Sequence, residues 1–297
     1  MLKNPFLSGW MFIGLAVFGG DPGFSPQSPP GGGHGLIAFC SRRDGNAEIY
    51  LVSAEGLEER RLTRDPGEDV TPSLSPDGTR IAFASNRSGN YEIYSVRIDG
   101  RDLRRLTRTR AMELSPAWSP DGLRILFDSW RDGKAEIYVM DADGADERRL
   151  TFNDFDDQMG DWSPDGARIA FSARPDGNLD LFTMGADGSD IRRLTRTPEE
   201  DYMPAWSPDG RSLLFSRLNP DRKGSAIYVF SPAGETPRRL TGDRAMNEIP
   251  SWSPDGRFIV FHSNRERTYQ LYVMSTGGED VRRLTHGPAD DIWPRWR

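Results

Sequence analysis

A tetrapeptide that recurs about every 44 residues, six copies of one strand ending and a chain rich in turn residues predict an all-β protein. The architecture they predict is a six-bladed β-propeller of four-stranded antiparallel blades. Ser-Pro-Asp-Gly begins at Ser75, Ser119, Ser163, Ser207 and Ser253, at separations of 44, 44, 44 and 46 residues. Arg-Arg-Leu-Thr begins at Arg60, Arg104, Arg148, Arg192, Arg238 and Arg282, and six endings mean six blades. The 31 glycines and 22 prolines are roughly 18 % of the chain, where about 12 % is usual. With an aromatic content of 10 %, that composition suits many short strands joined by turns.

The amino terminus stands apart from the repeats. Residues 1–20 carry one positive charge, Lys3, ahead of an apolar run from Phe6 to Phe18. Such a run is short of the ~20 residues a helix needs to span a bilayer. It fits a secretory signal peptide or an N-terminal anchor, with Val17 and Gly19 at the positions a cleavage site would use. Residues 21–35 form a Pro/Gly-rich linker that contains His34 and has no means of building a core. The propeller is expected over 36–297.

Each repeat has four parts. A segment such as Pro116-Ala117-Trp118 precedes the Ser-Pro-Asp-Gly turn, in which proline fixes φ and glycine permits a positive one. An apolar strand follows, such as Ile81-Ala82-Phe83 or Ile169-Ala170-Phe171. Short continuous apolar runs are what a sheet buried on both faces requires. A third strand reads Glu92-Ile93-Tyr94 or Glu136-Ile137-Tyr138, and an Asp-Gly turn leads to the fourth. The linker occupies the place of blade one's missing first strand, while Ile292–Trp296 is a spare first strand at the other end. Inserting the tail into blade one closes the ring and removes an exposed sheet edge. Trp118, Trp162, Trp206, Trp252 and Trp296, with Leu74 in the sixth place, are expected to wedge neighbouring blades apart at a fixed spacing. Cys40 reads as buried filler and His262 as a packed or hydrogen-bonded residue.

The unit Pro-x-Trp-Ser-Pro-Asp-Gly, Ile-Ala-Phe, Glu-Ile-Tyr, Asp-Gly, Arg-Arg-Leu-Thr resembles the TolB-type, WD40-like propeller repeat over 36–297. The resemblance implies a periplasmic or secreted propeller that works by protein–protein interaction, with a possible envelope association. TolB carries an α/β domain ahead of its propeller, where this chain has the signal-like segment and the linker. TolB's lipoprotein and Tol-complex partners are therefore not carried over wholesale. Related propellers gate prolyl-oligopeptidase-type peptidases, but those need a hydrolase domain, and no G-x-S-x-G motif occurs here.

Charge narrows the function. The 38 basic and 45 acidic residues leave a net charge of −7, all of it beyond residue 35, which argues against nucleic-acid binding. One cysteine and three histidines exclude a disulfide and leave little for a zinc site. In each blade the start of strand one and the end of strand two share a mouth, opposite the near-identical Ser-Pro-Asp-Gly turns. That varied mouth is where binding is expected.

Asp69, Glu113, Asp157, Asp201, Asn247 and Asp291 stand there at the repeat spacing, most with an acidic neighbour: Glu68, Asp156, Glu200 and Asp290. One reading is an acidic collar that attracts a basic protein or peptide. The other is framework, each acid capping loop amides or pairing with an arginine of a neighbouring blade, as Arg43, Arg87, Arg131 and Arg265 recur after strand two. Two loops, three blades apart, carry Arg110-Ala111-Met112 and Arg244-Ala245-Met246 in place of acids. Methionine at a rim suits an adaptable partner surface, and an old duplication of three blades would give the same pattern. The expected protein is a monomeric, non-catalytic scaffold without a cofactor. The alternatives are a glycan or small-ligand binder and a metal-dependent lyase or hydrolase, with Ca²⁺ on Asp157, Asp201 and Asp291.

Overall fold

The computed structural model describes residues 35–234, 236–242 and 244–297. The signal-like segment 1–20 and all but the last residue of the linker 21–35 lie outside them, as does His34. The described residues form six four-stranded sheets. Blade one holds β1 (Leu36–Ser41), β2 (Glu48–Ser53) and β3 (Glu59–Arg61), and blade two β4 (Asp69–Leu74), β5 (Arg80–Ser85), β6 (Glu92–Arg97) and β7 (Arg104–Arg105). Blade three holds β8 (Glu113–Trp118), β9 (Arg124–Ser129), β10 (Glu136–Asp141) and β11 (Arg148–Arg149). Blade four holds β12 (Asp157–Trp162), β13 (Arg168–Ala173), β14 (Asp180–Gly185) and β15 (Arg192–Arg193). Blade five holds β16 (Asp201–Trp206), β17 (Leu213–Leu218), β18 (Ser225–Phe230) and β19 (Arg238–Arg239), and blade six β20 (Asn247–Trp252), β21 (Phe258–Glu266), β22 (Thr268–Ser275) and β23 (Arg282–Arg283).

The last strand, β24 (Asp291–Trp296), pairs antiparallel with β1 and becomes the innermost strand of blade one. The register sets Ile37 opposite Trp296 and Ser41 opposite Asp291. The ring is therefore closed by its tail, as the repeat phase predicts, and β1 has no open edge on that side.

Each motif has a physical task. The turn glycines Gly78, Gly122, Gly166, Gly210 and Gly256 have φ between 66° and 72°, a region open to glycine and costly for most residues. Within each turn the serine hydroxyl donates to the aspartate, as Ser75 does to Asp77 Oδ1 at 2.6 Å, and that oxygen also accepts the Thr79 N–H at 3.0 Å. The threonine ending each repeat extends the ladder with its side chain: Thr63 Oγ1 accepts the Ile49 N–H at 2.9 Å, and Thr107 that of Ile93 at 2.8 Å. In blades one to four the second arginine of the ending pairs with the buried acid that opens strand three, as Arg61 does with Glu48 at 2.8 Å and Arg105 with Glu92 at 2.9 Å.

The core lies between blades. Phe39, Phe83, Phe127, Phe171, Phe215 and Phe261 are fully buried at one repeat position. Trp162 packs with Ala117, Leu126 and Ile137 of blade three and with Ile169 of its own blade. Cys40 is fully buried, and burial lifts its thiol far above the ordinary range, so it stays protonated and inert.

A further feature is marked in the sequence by Pro72, Pro116, Pro204, Pro250 and Pro294, with Gly160 in the sixth place, since proline inside a strand belongs at an edge or a bulge. Every innermost strand contains a bulge whose third residue is left-handed: Thr71, Ser115, Met159, Met203, Ile249 and Trp293, with φ of 51–61°. The bulge turns a backbone N–H toward the preceding blade. Met159 donates to Asp128, Met203 to Ser172, Ile249 to Ser216 and Trp293 to His262. The bulges set these residues around the propeller axis, where a cavity of about 10 Å³ is lined by Thr71, Ser115, Met159, Met203, Trp293 and Arg295, among others. That is room for about one water.

Candidate functional site

The innermost strands all start at the varied mouth, and their first residues are buried. Asp69, Glu113, Asp201, Asn247 and Asp291 are 0 % exposed and Asp157 is 1 % exposed. Five of the six meet an arginine. Arg43 Nη2 bonds both oxygens of Asp291 at 2.8 and 2.7 Å, and Arg87 Nη2 those of Asp69 at 2.8 and 2.6 Å. Arg131 reaches Glu113 at 3.1 Å, Arg217 reaches Asp201 at 2.6 and 2.8 Å, and Arg265 donates to Asn247 Oδ1 at 2.8 Å. Burial raises the pKa of Asp69, Glu113 and Asp201, and hydrogen bonds and the nearby arginines draw it back.

Four of the six, Asp69, Glu113, Asp201 and Asp291, thus form desolvated ion pairs that lock strand one to the end of strand two, and Arg265 makes the same link to the neutral Asn247. The arginine belongs to the same blade, not to a neighbour as the repeat spacing alone suggested. Arg217 was not foreseen, because Asn219 stands at the arginine position of blade five. The legible signal was Arg217 itself, inside strand two where the other blades have serine or alanine.

Asp157, Asp201 and Asp291 lie in blades four, five and one, and the last two are held by arginine. The structure does not bring them together, and among the described residues no three His, Cys, Asp or Glu are grouped to hold a metal ion. The donor set does not fit Ca²⁺.

The second tier of acids is nearer to solvent. Glu68 accepts Arg42 at 2.6 Å and the Tyr91 hydroxyl at 2.8 Å. Asp156 Oδ1 accepts the Ala135 N–H at 2.9 Å, and Asp290 Oδ1 that of Tyr269 at 2.8 Å. Glu200 meets Arg174 at 3.2 Å and Arg222 at 3.1 Å; burial alone would raise its pKa, but these two arginines hold it below the ordinary value. All four are half-buried. Arg110 and Arg244 are exposed, and Met112 and Met246 are half-buried beside them. Their loops join blades two to three and five to six, so they face each other across the ring.

Near the axis the repeat is broken by residues that sequence reading did not group. Glu248 accepts the Tyr202 hydroxyl, and His262 Nε2 lies 3.4 Å from its other oxygen. His262 Nδ1 accepts the Trp293 N–H, so Nε2 carries the proton. The ring of Tyr269 meets His262 edge-on at 5.2 Å. These groups come from blades one, five and six, and no fixed spacing announces them. Asp161 in β12 and Arg295 in β24 lie on opposite blades. Burial raises Asp161 and the charge of Arg295 opposes it; burial lowers Arg295 and Asp161 opposes that.

Fold and mouth together define a repeat scaffold whose variation is concentrated on one face. The family model described as TolB beta propeller domain matches residues 16–100, 87–161 and 204–297, most of the chain, and the chain belongs to that family. It is 36 % identical over 61 residues to a protein named TolB homolog from Chlorobium luteolum; the match covers 20 % of this chain and 12 % of that one. It is similar to the crystal structure of TolB from Acinetobacter baumannii, with a TM-score of 0.78 and 22 % identity over 88 % of this chain and 66 % of that chain. It is also similar to a putative TolB from Agrobacterium tumefaciens, with a TM-score of 0.72 and 21 % identity over 90 % of this chain and 99 % of that one. At these identities the structural likeness is one of fold.

Proposed function

We propose that this protein is a non-catalytic interaction propeller of the cell envelope, exported to the periplasm, which docks a protein segment across the mouth formed by its inter-blade loops. The observation that carries the reading is the contrast between the two mouths. On one, near-identical Ser-Pro-Asp-Gly turns satisfy their own polar groups. On the other, each loop differs, and acids alternate with Arg110 and Met112 on one side and Arg244 and Met246 on the other. Side chains that differ on equivalent scaffold positions are free to serve recognition. The axial cavity, with space for about one water, favours a partner lying over the mouth instead of a substrate within the channel. Asp156 and Asp290, whose bonds go to backbone N–H groups and not to arginines, supply the negative charge that would draw basic groups toward it. Membership of the TolB propeller family supports both a protein partner and the periplasm.

The test is site-specific photocrosslinking in living cells. A photoreactive residue at Arg110 or Arg244 should give discrete crosslinked species. The same probe at Thr79 or Leu123, exposed on the turn mouth, should give none. Crosslinks from the turn mouth alone, or from neither, would overturn the proposal.

A further inference from the structure

Blade four departs from its five neighbours at one place. In the other blades, the arginine that holds the first residue of strand one also lies over an aromatic pair built by strands two and three. Its guanidinium carbon is 4.8 Å from the Tyr50 ring centre in blade one, 5.1 Å from Tyr94, 4.4 Å from Tyr138, 4.8 Å from Tyr228 and 4.5 Å from Tyr272. Carboxylate or amide below and aromatic face beside it make a seat shaped for a guanidinium. The arginines in four of these seats are 14–25 % exposed, so the seat opens at the surface.

In blade four the carboxylate and the aromatic pair remain, but the arginine is gone. Asp157 faces Ala173 in the register that sets Asp69 opposite Ser85. Phe171 and Phe182 stack at 5.7 Å. Pro175 stands at the position of Arg43, Arg87, Arg131 and Arg265, and Ala173 at that of the serine that steadies those four arginines. Asn153 donates to one oxygen of Asp157, while Oδ1 is buried with no hydrogen-bond partner.

The nearby arginines are engaged elsewhere. Arg174 bonds the Gly177 carbonyl and Glu200, and Arg193, which leans over Phe182 at 5.9 Å, bonds Asp176 and Asp180. A buried carboxylate oxygen without a partner is costly, and it is the kind of exception that calls for a ligand. The adjoining loop departs from the others as well. Phe152, 74 % exposed, stands where the other five loops have arginine, glycine or histidine: Arg64, Arg108, Arg196, Gly242 and His286. Asp154 and Asp156 follow it.

We propose that this notch in blade four is an interaction site for an arginine side chain of a protein partner, whose guanidinium takes the seat that the other five blades fill from within. The proposal rests on the reading that this mouth docks a protein segment, and it names the residue that anchors it. Arginine fits better than lysine because the seat asks for a planar fork that bonds a carboxylate and stacks on a ring. Phe152 offers apolar surface to the flanking residues of the segment, and the acids of the loop favour a cation. Burial is the main cause that raises the pKa of Asp157 to about 7; the Asn153 and Thr151 side chains oppose it, and the charges of Glu136 and Asp156 add to it. Because Oδ1 is shut off from solvent, the turn around Pro175 must give way on entry.

The test uses Nα-acetyl-arginine methylamide and its lysine counterpart, titrated into the full chain and followed by amide chemical shifts. Saturable shifts at Phe152, Asp157 and Phe182 are expected, at least threefold tighter for the arginine probe. The double variant Ala173→Ser with Pro175→Arg supplies the missing arginine and should weaken binding at least tenfold. Asp157→Asn should do the same, and serves if the double variant fails to fold. No saturable shift in blade four, or equal affinity in both variants and the unaltered protein, would overturn the proposal. A notch that ignores arginine while the mouth still crosslinks would refute the notch and leave the wider reading standing.

Discussion

Replacing Trp296 by alanine should be as damaging as the same change inside any blade, although Trp296 is the second-last residue. Its side chain is 4 % exposed and packs with Ile37, Phe39 and Val52 of blade one and Val260, Leu271 and Val273 of blade six. A tryptophan buries on the order of 200 Å², and at about 25 cal/mol per Å² its removal forfeits ~5 kcal/mol. Two rigid sheets cannot collapse onto the space, so little is recovered, and the range for such truncations is about 3–5 kcal/mol. Against a total stability of about 5–15 kcal/mol, the melting temperature should fall by roughly 6–20 °C. Calorimetry and urea unfolding of Trp296→Ala would be set beside Trp118→Ala, which is 5 % exposed at the equivalent position of blade three. If Trp118→Ala loses several kcal/mol while Trp296→Ala stays within about 1 kcal/mol of the parent, the tail does not close the ring and the reasoning fails.

Asp128→Asn should stabilise the protein at alkaline pH. Burial raises the pKa of Asp128 to about 8, with the Met159 N–H opposing. The unfolded residue loses its proton near pH 4, so the native state holds the extra proton between pH 4 and 8. Stability contributed by this group therefore falls as pH rises through that window and is level above it, by up to something on the order of 4–6 kcal/mol. Melting curves from pH 4 to 9 should flatten in the variant and leave the values at pH 4 unchanged; a parallel displacement at every pH would refute this. Arg87→Met should cost about 3–5 kcal/mol at neutral pH by stranding Asp69 without a counter-charge. The penalty should shrink below pH 4, where Asp69 is protonated in both states, as urea denaturation at pH 7 and pH 3.5 would report. Deleting residues 290–297 should expose the edge of β1 and promote association, measurable by light scattering, whereas deleting residues 1–34 should leave the melting temperature unchanged.

Nearly all of the fold could be read from spacing. Six Arg-Arg-Leu-Thr endings counted the blades, and the phase of Trp296 located the closing strand. Repetition makes this possible: each blade solves one packing problem, so a residue type at a fixed interval reports a fixed environment. The same logic explains what stayed hidden. The left-handed residues Thr71, Ser115, Met159, Met203, Ile249 and Trp293 share no residue type, and the bulge is marked only one residue on, by a proline in five blades and Gly160 in the sixth. The Tyr202, Glu248 and His262 cluster joins residues of different blades at no common interval. The collar acids were visible, but their charge state was not, since Arg217 reaches Asp201 from a different repeat position than Arg87 reaches Asp69. Amino-acid order alone determined the architecture, the number of blades, the closure and the mouth that varies, because each follows from period and phase. Only tertiary structure decided which of the acids that open the inner strands are neutralised and which of them, Asp157, is left without an arginine. Pairing of charges depends on distances across the blade, and a repeat interval carries no distance.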